Sequence, residues 1–157
     1  MSSSLSSARR YWKDVAAPTL QEFAEAPFDH RRAALASLVL HHAPEHCFVE
    51  RVGAAKAQAA QRDYWAARDE VEFKVIHAVA VALKHGERSK DAYSLRQIHS
   101  RPPAECGVLE CGWSEIGDTQ GSVLAQAWPL DGTLIDLHAA ILVVANQLAT
   151  DFPELGL

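Results

Sequence analysis

The chain reads as a mainly α protein, a helical bundle of four or five helices with a small antiparallel β-hairpin or meander before the last helix. Three observations predict it. Apolar residues recur at helical spacing through much of residues 18–85 and again through 137–150. Asp29 and Asp136 stand where helix N-caps belong. Between these stretches, Gly107, Gly112, Gly117 and Gly121 cut the chain into short segments, and Ser122 to Trp128 alternates apolar and polar residues.

The elements follow in order. Met1 to Ser7 is Ser-rich and lacks the apolar core of a secretory signal. Residues 1–10 are therefore expected as a disordered tail, and 11–157 as a single helical domain. Pro18 suits the first turn of a short helix that Pro27 ends. Asp29 then caps a second helix to about His42, with Leu35, Leu38, Val39 and His42 on one face, and Pro44 stops or kinks it. Phe48, Val52, Ala55 and Ala59 keep helical spacing despite Gly53. A long helix is expected from Asp63 to His85, with Gly86 as its C-terminal cap. Phe73, Ile76, Val79, Ala80 and Leu83 share a face of it, and Val71, Val75 and Ala82 widen that face. Such a rod should be the most buried element, with the second and last helices packed on it.

Residues 87–103 are charged and contain Pro102-Pro103, which reads as a connector. The hairpin or meander follows. Val123, Ala125 and Ala127 lie on one side of its best strand, and Asp131-Gly132 is a turn pair. Asp136 caps a final helix from Leu137 to Thr150 with the stripe Leu137, Ile141, Val144 and Leu148, closed by Phe152-Pro153.

Composition narrows the function classes. At 157 residues and 48% apolar, one core suffices without staples. No apolar run of about 18 residues or more is present, so no membrane span is expected. Three cysteines without a framework pattern fit a reducing, cytoplasmic setting. The net charge of −5 is unevenly spread. Residues 1–101 hold all 15 Lys and Arg against 12 acids, whereas residues 102–157 hold 8 acids and no Lys or Arg. The acidic third would repel a phosphate backbone. Its simplest partner is the basic part of the same chain.

Few motifs carry chemistry. Asp69 and Glu72 lie one helical turn apart, in line with Ile76 and Leu83, and Arg68 flanks them. With His42 and His77 they form a candidate polar pocket for acid/base or metal chemistry. The competing reading puts both acids on an exposed first turn, where they suit the helix dipole. His42 and His46 have metal-ligand spacing, but Pro44 between them argues against a continuous helix. Cys106-x4-Cys111 with His99 is too loose for a zinc knuckle. Neither a phosphate-binding glycine loop nor a nucleophile elbow is present. No catalytic residue, metal or cofactor is therefore assigned. Lys84, His85 and Arg88 begin a basic run suited to a phosphate or an acidic surface.

The segment from Phe73 to Ala80-Val81-Ala82-Leu83-Lys84-His85 resembles the Lys-His-ended helix of HEPN-like bundles and related uncharacterised bacterial proteins. The order of an Asp-capped helix, a Lys-His helix, a strand insert and a final helix is similar too. Catalytic members of that superfamily are metal-independent ribonucleases with an Arg and a His four to six residues apart. No histidine of this chain has an arginine at that distance upstream: Arg68 to His77 is too long, Arg96 to His99 too short. The resemblance thus implies a member without that site. Three functions are open: a non-catalytic interaction module pairing with itself as a dimer or with another protein, a less favoured nucleic-acid or nucleotide binder or ribonuclease, and a metal or acid/base enzyme.

Overall fold

In a computed structural model of the chain, residues 6–85, 95–101, 122–127 and 133–156 are described. The mainly α architecture with a small antiparallel sheet before the last helix is as expected. Helix α1 (Ser7–Tyr11), a π-helical turn (Trp12–Ala16) and α2 (Ala17–Glu25) form one unbroken helical run. After it come α3 (His30–Val52), α4 (Ala54–Ala66), α5 (Val71–His85), strands β1 (Leu95–Arg101), β2 (Ser122–Ala127) and β3 (Ile135–Asp136), α6 (Leu137–Asp151) and a 3-10 turn (Pro153–Leu155).

Residues 7–10, expected in the tail, are instead helical, and Ala8 is buried. Ser6 caps this helix through its hydroxyl, and Glu50 of α3 accepts a hydrogen bond from the Ala8 N–H at 2.8 Å. Two orphan N–H groups at the helix start are thereby satisfied, one of them by a residue far away in sequence. The π turn sits just ahead of Pro18, and the Ala17 N–H reaches back to the Trp12 carbonyl. Pro18 has no N–H and its ring crowds the preceding turn, so widening the helix there relieves the clash.

Helix α3 is the hub, in contact with α1, the π turn, α2, α4, α5, α6 and β1. The Asp29 carboxylate caps it by accepting from the Arg32 N–H at 3.0 Å, as the sequence predicts. It does not end near His42. Pro44 lies inside it, buried, and the helix runs on to Gly53, whose φ of +84° marks the break before α4. The cost of a proline inside a helix is offset here by packing on several sides.

The single rod expected over 63–85 is broken. Helix α4 ends at Ala66, and residues 67–70 turn the chain before α5 starts at Val71. Neither Gly nor Pro forces this. Trp65 and Phe73 are both buried, with ring centroids 5.4 Å apart, so the turn lets two successive helices share one core. Tertiary packing overrides local helix preference. The second half behaves as expected. Phe73, Val75, Ile76, Val79 and Ala80 are buried, and α3 and α6 both pack on α5. Leu83, placed on the same face, is instead 49% exposed.

Residues 95–101, assigned to a connector, form β1. It pairs antiparallel with β2, from Leu95 opposite Ala127 to Arg101 opposite Ser122, with an irregularity between Leu95 and Gln97. β2 in turn pairs with β3. Val123 and Ala125 are buried where β2 meets α5 and α6. The Asp131-Gly132 turn and the glycine-punctuated segments from Gly107 to Gly121 lie outside the described residues. Asp136 caps α6, its carboxylate accepting from the His138 and Ala139 N–H groups, and Leu137, Ile141, Val144 and Leu148 are all buried. At the far end the left-handed Gly156 packs on Arg9: a Cβ there would lie 2.7 Å from the arginine Nε.

Candidate functional site

The most unusual side chains of the core lie where α3, α4 and α5 meet. His41 Nε2 and His77 Nδ1 are 3.0 Å apart, joining α3 to α5. The Trp65 indole of α4 stacks on both rings, with centroids 4.9 Å from His41 and 5.9 Å from His77. Two α4 side chains hold the backbone beside them. Gln61 Nε2 and Trp65 Nε1 donate to the His41 carbonyl at 2.6 and 3.1 Å. That carbonyl lies in the helical turn disturbed by Pro44, where side-chain donors are well placed to intervene.

Burial, reinforced by the neighbouring His77, His42 and Lys84, lowers the His41 pKa to about 3. His41 is therefore neutral at ordinary pH, with its Nε2 3.0 Å from His77 Nδ1. Its Nδ1 is buried without a hydrogen-bond partner among the described residues. Donation of Nε2–H to His77 makes that orphan a bare lone pair instead of a stranded proton, the cheaper of the two outcomes. Such a pair can relay a proton. Among the described residues, however, no three His, Cys, Asp or Glu side chains converge as a metal site.

The predicted polar pocket is not assembled. His42 Nδ1 lies 3.3 Å from Glu45, and His77 faces His41. The Asp69 side chain is fully exposed in the turn between α4 and α5 and lies 3.2 Å from Lys74 Nζ. Glu72 is half-buried in the first turn of α5, where an acid suits the helix dipole. Arg68 turns the other way. Its guanidinium lies over the Tyr64 and Phe73 rings, forms an ion pair with Asp151 of α6, and sits 3.6 Å from Glu70.

Asp151 is the centre of a second polar cluster that sequence spacing does not reveal. Tyr64 Oη donates to it at 2.7 Å and Gln147 Nε2 at 2.8 Å. Burial would raise this carboxyl, but the hydrogen bonds from Tyr64 and Gln147 and the Arg68 cation outweigh that and hold it below the ordinary range. Beside it, Arg51 of α3 makes a two-pronged contact with Glu154 at 2.6 and 2.9 Å and donates to the Asp151 carbonyl. The acidic end of the chain thus docks on basic residues of the first two thirds, the simplest reading of the charge asymmetry.

Two surface features complete the inventory. A groove of about 450 Å³ runs between the first turns of α3 and the end of α5, lined by His30, Arg31, Ala34, Leu35 and Leu83. Lys84 of the basic run, which follows Leu83 in the chain, is exposed, whereas Arg88 and the His85 side chain lie outside the described residues. The outward positions of α6, Ala139, Leu142, Val143, Asn146 and Thr150, are all exposed, and none is charged. Cys47 is buried and its thiol is pushed up to about 12, chiefly by burial, so it is inert as a nucleophile; Cys106 and Cys111 lie outside the described residues. No family model, curated protein or solved structure matches the chain. No helix among the described residues is long and apolar enough to cross a membrane.

Proposed function

We propose that the protein is a non-catalytic helical interaction module that pairs with a second copy of itself through the outer face of α6. The observation that carries this reading is the chemistry of that face. Leu142 and Val143 are 53% and 46% exposed, and the stripe around them from Ala139 to Thr150 has no charged side chain. A surface helix ordinarily turns charged residues to water, and one that does not is built to be covered. A two-fold pair places the same patch on itself. An uncharged stripe does so without burying a charge or opposing like charges, which matters for a chain of net charge −5.

The helix order that resembles HEPN-like bundles suits a member without the ribonuclease site. An enzyme built on His42, Asp69, Glu72 and His77 would need those side chains together, and His42, Asp69 and His77 face separate partners. One short helix face is smaller than the roughly 800 Å² per partner of a standard interface, so a weak, micromolar dimer is expected. Sedimentation equilibrium across the micromolar range should show the mass rising from 17.2 kDa towards twice that. The double variant Leu142→Glu, Val143→Glu should stay monomeric with an unchanged melting temperature. A monomer at every concentration, or a dimer indifferent to the double variant, removes the proposal.

A further inference from the structure

We propose that the groove between α3 and α5 binds an anionic amphiphile, an acyl chain ending in a carboxylate. The volume, about 450 Å³, is in the range of small-ligand sites. Ala34, Leu35 and Leu83 supply an apolar floor, and among the described residues no carboxylate lines it. Leu83 is 49% exposed at the end of a helix whose other apolar positions are buried or half-buried.

Charge selects the headgroup. Arg31 lines the groove, and Lys84 follows Leu83 in the chain. Both are exposed, and neither has an ion-pair partner among the described residues, whereas Arg32, Arg51, Arg68 and Lys74 each have one. The acid nearest Arg31 in sequence, Asp29, is occupied, capping α3 and lying 3.8 Å from Arg32. The groove also opens beside the start of a 23-residue helix, whose dipole favours an anion. A guanidinium presents a planar fork that matches a carboxylate, so Arg31 is the headgroup ligand and Lys84 a second cation within the same field.

The test is a titration of the full chain with dodecanoate below its micelle concentration, followed by amide chemical shifts. Saturable one-to-one binding is expected, with shifts centred on Ala34, Leu35 and Leu83. Dodecanol should bind about tenfold more weakly, and dodecyltrimethylammonium more weakly still. Leu83→Asp should abolish binding and Arg31→Glu should weaken it at least tenfold. Both side chains are at the surface, so the melting temperature should hold and certify the fold. The α6 double variant should bind dodecanoate like the parent, which separates this site from self-association. Absence of saturable binding, equal affinity for the cationic amphiphile, or indifference to both groove variants overturns the proposal. So does binding to phosphatidylglycerol vesicles without binding of free dodecanoate, which would make the groove a membrane contact.

Discussion

The seam that α3 and α4 make with the end of α6 and the seam between α3 and α5 handle charge in opposite ways. In the first, Arg68 meets Asp151 and Arg51 meets Glu154, while Tyr64 and Gln147 add hydrogen bonds to Asp151. In the second, His41 and His77 face each other, and burial, with His77, His42 and Lys84 close by, lowers the His41 pKa. The first seam can close on opposite charges. The second holds a neutral His41, and further along it Arg31 and Lys84 have no ion-pair partner among the described residues. The contrast teaches where the described acids of the lysine- and arginine-free last third go: Asp151 and Glu154 meet cations at the first seam, and Asp136 caps α6.

The sharpest way to break this comparison is to remove the centre of the closed seam. Asp151→Ala strands the partly buried Arg68 and takes away the acceptor of Tyr64 and Gln147. A loss of about 3 kcal/mol in urea unfolding is expected, near the lower end for breaking a buried pair. A loss under about 1 kcal/mol would show that the seam rests on its apolar contacts alone.

Acid should act on the open seam. The folded pKa of His41, about 3, lies below its unfolded value of roughly 6.5, so the unfolded chain binds more protons between these limits. The neutral-histidine contribution is therefore present above roughly pH 6.5 and falls away as pH drops towards 3. About 2 kcal/mol should be lost between pH 7 and pH 5, and His41→Gln should flatten that slope. An equally steep slope in the variant would place the titration elsewhere. At the bottom of the scale, Asp69→Ala should leave the urea midpoint unmoved, because that carboxylate is fully exposed. A clear shift would restore it to a polar pocket.

Much of the fold was legible from local signals. Asp29 and Asp136 cap the helices they were assigned to, and the α6 stripe is buried at all four positions. What escaped was decided by tertiary contacts. Ala67 to Glu70 has ordinary helix-compatible residues, and only the sharing of one core by Trp65 and Phe73 accounts for the turn. Pro44 should have ended α3, yet packing carries the helix through it. The charged run ahead of Pro102 hid β1, whose pairing with β2 no local pattern announces. Of the central histidines, helical spacing points to His77 and to His42, the neighbour of His41, but not to His41 itself. The His41–His77 contact joins residues 36 apart, and neither ring carries a spacing signal that points to the other. Asp151 was hidden for the same reason, its partners Tyr64 and Arg68 lying 87 and 83 residues away.

The packing of Gly156 on Arg9 brings the first helix and the last turn to one spot. Donor and acceptor dyes placed on the first helix and on the last turn should therefore report a short separation. A brief linker joining the two ends, with new ends opened elsewhere on the surface, should yield a permuted chain that still folds.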